Sequence, residues 1–119
     1  MSEPRYKRGT GRTRRMVAEA FRKAYDGNRV VIVVSSLHEL PHIGPMIQDL
    51  GADKSGPAGF KVGANGIITV LPMSAHGVRV EICQVEGWRK DNAFFDHDVI
   101  YKFYQRIIDD YQRYDANQQ

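Results

Sequence analysis

Cysteine is almost missing: Cys83 is the only one among 119 residues. That excludes an internal disulfide framework and any metal site needing two or more thiolates. Long apolar runs are missing too, and no stretch approaches the roughly 20 residues that a membrane span needs. The opening MSEPRYKRGTGRTRR is basic, but no apolar segment comes after it, so it does not read as a secretory signal. There are no internal repeats. With 42% hydrophobic and 26% charged residues the composition is that of a globular protein, and the length suits one domain with one modest core. The expectation is a reduced, cytoplasmic, one-domain protein without membrane contact.

Acidic charge is scarce at the start of the chain. Residues 1–29 carry nine Lys/Arg against three acids, residues 30–90 five of each, and residues 91–119 three bases against six acids. The net +3 is therefore concentrated at the N-terminal end, where it would attract an anion such as phosphate. A solvated basic arm is the plainer reading of the same numbers.

From Thr13 to Asp26 the residues Met16, Val17, Ala20, Phe21, Ala24 and Tyr25 recur at three- and four-residue steps, predicting an amphipathic helix stopped by Gly27-Asn28. Val30–Val34 is an unbroken β-branched run and predicts a central strand covered on both faces. Pro41 and Pro45 restrict residues 35–50 to a loop and a short helix near Pro45–Leu50. The glycine-rich residues 51–66 read as the longest loop. Ile67–Leu71 and Val78–Val85 read as two strands in an antiparallel hairpin, with Cys83 on the exposed face of the second. Ala93–Phe95 is a short apolar strand leading to Asp96-His97, and Asp98 is placed to cap a last helix. That helix carries Val99, Ile100, Phe103, Tyr104, Ile107, Ile108 and Tyr111 on one face, a stripe that reads as core packing. The fold class is α/β: a compact layered sheet of about four strands, mixed through one antiparallel hairpin and flanked by helices. Residues 1–12 form a basic arm, 13–114 the domain, and 115–119 a tail expected to fray.

The sharpest local pattern is Gly9-Thr10-Gly11-Arg12-Thr13 at the start of the first helix. A phosphate loop needs glycines so that backbone N–H groups converge on phosphate oxygens, then a cation, a hydroxyl for Mg²⁺ and a helix N-terminus behind them. Gly11, Arg12 and Thr13 supply glycine, cation and hydroxyl in that order, and Arg14 and Arg15 add charge.

This run, with the alanine-containing helix, Gly27-Asn28-Arg29 and the valine-rich strand after it, resembles small phage-encoded P-loop proteins, and through them the first half of the RecA-like core of helicases and terminase ATPases. Ala93-Phe94-Phe95-Asp96-His97 is similar to the strand that ends in the Walker B acid. The resemblance implies a P-loop-like sheet in which Gly9, Thr10, Gly11, Arg12, Thr13 and Arg14 bind a nucleotide or another phosphate ligand. It further implies that Thr13 and Asp96 hold Mg²⁺ if a nucleoside triphosphate binds, and that Asp96 and His97 are the catalytic positions. The pattern is incomplete. Tyr6 stands where the first Walker glycine belongs, arginine replaces lysine at position 12, the residues before the loop are too polar for a buried strand, and His97 rather than glutamate comes after Asp96. The implied function is phosphate or nucleotide binding with weak or no NTPase activity.

The same residues have other readings. Thr10 or Thr13 could cap the helix without a ligand, and Asp96 could belong to a capping cluster with Asp98. His38, His42, His76 and His97 have no ligand-like spacing. Trp88 beside Arg89 and Lys90 could stack on a base or anchor a partner, or be partly buried against the sheet. A second function class is a P-loop remnant that binds nucleic acid or a host protein through Arg8, Arg15 and the surrounding basic end, with Trp88, Arg89 and Lys90 as further contacts. Self-association into a homo-oligomer would be needed for a third, an NTPase completed in trans.

Overall fold

Helix α1 (Arg12–Tyr25) and strand β1 (Arg29–Val34) form where the periodicity and the β-branched run predict them, in a computed structural model that describes residues 11–117. The expectations placed on Arg8, Gly9 and Thr10, and on the last two residues, lie outside that range. Val17, Ala20 and Ala24 line the buried face of α1. The side-chain amide of Asn28 donates to the Lys23 carbonyl at 2.8 Å and closes the turn, so that β1 begins immediately and runs back under the helix.

The remaining elements are α2 (Leu40–Asp49), β2 (Asp53–Lys54), β3 (Gly59–Val62), β4 (Gly66–Pro72), β5 (Val78–Arg79), β6 (Gln84–Val85), β7 (Ala93–Phe95) and α3 (His97–Asn117). The protein is α/β, with a mixed five-stranded sheet in the order β2-β3-β4-β1-β7 and a separate antiparallel pair, β5-β6. β1 lies between two parallel neighbours, β4 and β7, while β2 and β3 extend the sheet in antiparallel fashion.

Alternate residues of β1 feed two cores. Val30, Ile32 and Val34 join residues of α1, α2, β3 and β4 on one face. Val31 and Val33 join Val80, Val85 and Val99 on the other, with Trp88, Phe95 and Phe103 packed around them. This is the covering on both sides that the run predicted.

Four expectations need correction. The sheet has five strands rather than four, because residues 51–66 supply β2 and β3: Phe60 and Val62 turn inward and Lys61 outward. The hairpin partner of β4 is therefore β3, and since β1 occupies its other edge, Val78–Val85 has no place beside it. That segment folds on itself instead, pairing Val78 with Val85 and Arg79 with Gln84 around a 3-10 turn at Val80–Ile82, and Cys83 takes φ 49° in the turn. Helix α2 starts at Leu40, earlier than expected. Pro41 sits in its first turn, where no intrahelical donor is required, and Pro45 is on its exposed side. The last helix begins at His97, so Asp98 lies within its first turn, 3.6 Å from Lys102, and Asp96 precedes the helix; the helix continues to Asn117.

The largest departure is the apolar stripe of α3. Val99 is buried and Ile100 and Phe103 pack on the second core, but Tyr104, Ile107, Ile108 and Tyr111 are exposed. The helix leaves the domain after its second turn, so those residues are not core. Among the described residues no helix is long and apolar enough to cross a membrane.

Candidate functional site

Helix α1 ends where β1 and β4 begin and starts where β7 ends. Its first turn therefore sits at the carboxyl edge of the parallel strands, the usual place for ligands in open α/β sheets. Gly11 caps it at φ 78°, a left-handed conformation that glycine adopts without steric cost. No side-chain cap is made there and the first turn has no acid. Arg12, Arg14 and Arg15 are all exposed in it.

Across from this turn stands the end of β7. The backbone N–H of Asp96 donates to the Val33 carbonyl at 3.0 Å, which carries the β1–β7 pairing one residue further and fixes the Asp96 side chain. The Thr13 hydroxyl donates to Asp96 Oδ1 at 3.1 Å, in a buried contact between residues 83 apart in sequence. The same oxygen accepts the His97 backbone N–H at 2.9 Å. Arg12 Nη1 lies 2.9 Å from both ring nitrogens of His97, donating to whichever carries no hydrogen. The fold thus brings Arg12 and Thr13 against Asp96 and His97. Thr13 is committed to the carboxylate and does not cap α1, and Asp96 serves both the start of α3 and the contact with α1.

Asp96 is 4% exposed, and burial is the main reason its pKa is raised above the ordinary carboxylate value. The Thr13 hydroxyl and the His97 N–H pull it back down, while the charges of Asp98 and Glu39 push it up. A raised carboxyl pKa means that the fold favours the protonated form. Its stabilising share is complete in acid, below the unfolded pKa, and is lost as pH rises through the folded value. Asp96→Asn, which keeps an accepting oxygen and loses the charge, should therefore melt above the wild type at pH 7. The difference should shrink as pH falls through the carboxylate range. Thermal melts of both proteins from about pH 3 to about pH 8 check this, and an asparagine variant that melts lower at neutral pH would contradict it.

Glu39 is a site residue that sequence reading missed. It lies in the 3-10 turn Leu37–Glu39 just past β1, and its only sequence signal is its position beyond a parallel strand. Ser35, also past the end of β1, has a buried hydroxyl with no partner among the described residues. No group of three or more His, Cys, Asp or Glu among the described residues is arranged to hold a metal ion. Thr13 and Asp96 offer two adjoining hard oxygens, which suit Mg²⁺ only when phosphates complete its shell.

Trp88, Arg89 and Lys90 do not join this site. Trp88 packs on the second core with the Arg29 guanidinium 4.7 Å from its ring centroid, at the opposite end of β1 and so about 15–20 Å away along the strand. Arg89 and Lys90 are exposed beside it. His76 faces Glu86 at 3.9 Å on the surface, and His38 lies in the turn after β1 with its backbone N–H on Ser36 Oγ. No family model, curated protein or solved structure matches the chain.

Proposed function

We propose that the chain binds a phosphate-bearing ligand, a nucleotide in the first instance, at the N-terminal turn of α1. It would do so as a degenerate P-loop-type protein of the cytoplasm, in a phage accessory role, with weak or no NTPase activity. The observation that carries this reading is the charge of that turn: three arginines, no acid and a glycine cap. Each cation at a helix N-terminus opposes the macrodipole and costs about 0.3–1 kcal/mol. A bound anion reverses the sign and supplies acceptors to the N–H groups of a helix N-terminus.

In this reading the backbone around Gly11 meets the phosphate oxygens and Arg12 supplies the neutralising fork. Mg²⁺ arriving with a triphosphate would meet the Thr13 hydroxyl and Asp96. Support for weak or absent hydrolysis is that no glutamate comes after Asp96 and that the ring of His97 lies against Arg12. Thermal shift with ATP, GTP, ADP and inorganic triphosphate, each with Mg²⁺, tests the reading on wild type and on Arg12→Ala. A ligand at about 100 times its Kd stabilises by about 2.7 kcal/mol, so a clear rise in Tm is expected for wild type and a smaller one for the variant. Failure of all four to move the wild type sinks it.

A second reading, nucleic-acid binding by a P-loop remnant, is favoured by Arg14 and Arg15, both exposed and making no ion pair among the described residues. Its signature would be oligonucleotide affinity that falls steeply with salt and is unaffected by competing nucleotide.

A further inference from the structure

We infer that α3 is a self-association element, and that two copies of this chain pair antiparallel through its outer face about a two-fold axis between Ile107 and Ile108. The inference is independent of the phosphate site.

The first observation is exposure. Beyond Phe103 the helix makes no use of its apolar face: Tyr104 is 59% exposed, Ile107 46%, Ile108 48%, Tyr111 68% and Tyr114 63%. At roughly 150–250 Å² per aromatic side chain these five residues present on the order of 600 Å² per copy. That is the size of the largest patch a monomer ordinarily shows. Doubled across a symmetric contact it reaches about 1,200 Å², the threshold of a specific interface.

The second is the stability of the helix. The stretch from Tyr104 to Tyr114 continues α3 beyond the domain, and in proteins most helical stability comes from packing an amphipathic face rather than from propensity. Its local support is slight: Gln105 to Asp109 and Arg113 to Asp110, each at 3.2 Å and each worth about 0.2–0.5 kcal/mol. A packed face would supply what is missing.

The third identifies the occupant. Around the midpoint of Ile107-Ile108 the stripe reads the same in both directions. Ile107 mirrors Ile108, Tyr104 mirrors Tyr111, and Tyr101 mirrors Tyr114. At about 100° per residue these positions share one face. An isologous two-fold contact requires that residue i meet j and j meet i, and an antiparallel helix pair centred there opposes tyrosine to tyrosine and isoleucine to isoleucine. A membrane surface fits poorly, because the other face mixes Lys102, Arg106 and Arg113 with Asp98, Asp109 and Asp110 and gives no net attraction to anionic lipid.

Sedimentation velocity on the full chain over a wide concentration range tests the pairing. The wild type should move reversibly from 13.5 kDa to twice that mass, with a Kd in the micromolar range that suits a small interface. Ile107→Glu and Ile108→Lys should each weaken association by about 30-fold or more, with far-UV circular dichroism confirming that the domain is folded. The double variant Ile107→Glu/Ile108→Lys should recover it, because antiparallel pairing sets the new carboxylate of one copy against the new ammonium of the other. A wild type that stays monomeric throughout overturns the inference. Association untouched by either single substitution overturns it as well, and a double variant that fails to recover overturns the antiparallel geometry.

Discussion

Gly66→Ala is expected to destabilise the protein by about 4 kcal/mol or more, which is most of the stability of a marginal domain. A methyl group at Gly66 would sit inside the contact radius of the Ala24 carbonyl oxygen, 2.5 Å from its carbon and 2.8 Å from the Val62 oxygen. The backbone has no room to yield. Gly66 pairs with Val62 in the β3–β4 ladder, and the next N–H, of Ile67, donates to the Asn28 carbonyl at 3.2 Å. The clash therefore forces apart the end of α1 and the start of β4, two elements that share the first core. Gly63→Ala, three residues earlier, is the control. Its φ of +62° strains an alanine, but the nearest contact is the Tyr25 ring at 3.4 Å, so its cost should stay near about 1–2 kcal/mol. Urea unfolding of the two variants separates them, and similar midpoints would disprove the close approach of α1 to β4.

Phe60→Ala should cost about 3–5 kcal/mol. The ring is fully buried and lies under α2, where a Cβ on Gly44 would come within 3.5 Å of it. If residues 51–66 were the surface loop that their composition suggests, the same substitution would fall within about 0.5 kcal/mol of wild type. Unfolding by denaturant distinguishes the two outcomes directly.

The contrast shows which parts of the fold were legible in the sequence. Helix α1 and strand β1 were, because each carries a long pattern of one kind. Their burial obeys that pattern at Val17, Ala20 and Ala24 and along Val30–Val34. Strand β3 was hidden because it is four residues long and sits among glycines, so only Phe60, Lys61 and Val62 carry its alternation. Val78–Val85 failed in the opposite way: it alternates well, but both edges of β4 were already taken. In α3 the period was right and the inference from it wrong, since periodicity states which residues share a face and not what covers it. The site was half legible. Arg12, Thr13, Asp96 and His97 each stood out locally, while their contact depends on β7 pairing with β1. No local pattern encodes that pairing, nor the arrival of Glu39 near Asp96.

The two-sided burial of β1 also sets an order of events during synthesis. Every fully buried residue packed with Val30, Ile32 and Val34 comes no later than Val70, so this half can assemble while the rest of the chain is still on the ribosome. Leu71 and Met73 reach the face of Val31 and Val33 early, but its cover is completed only by residues 78–103, and until then the most β-branched segment of the protein presents an open edge and a half-covered face. The nascent chain thus passes through a stage at which it is sticky on one side, a stage at which a chaperone or a second nascent chain would find it. Asp96 and His97 arrive only as that stage closes, so their contacts with Arg12 and Thr13 are among the last that the folding chain acquires.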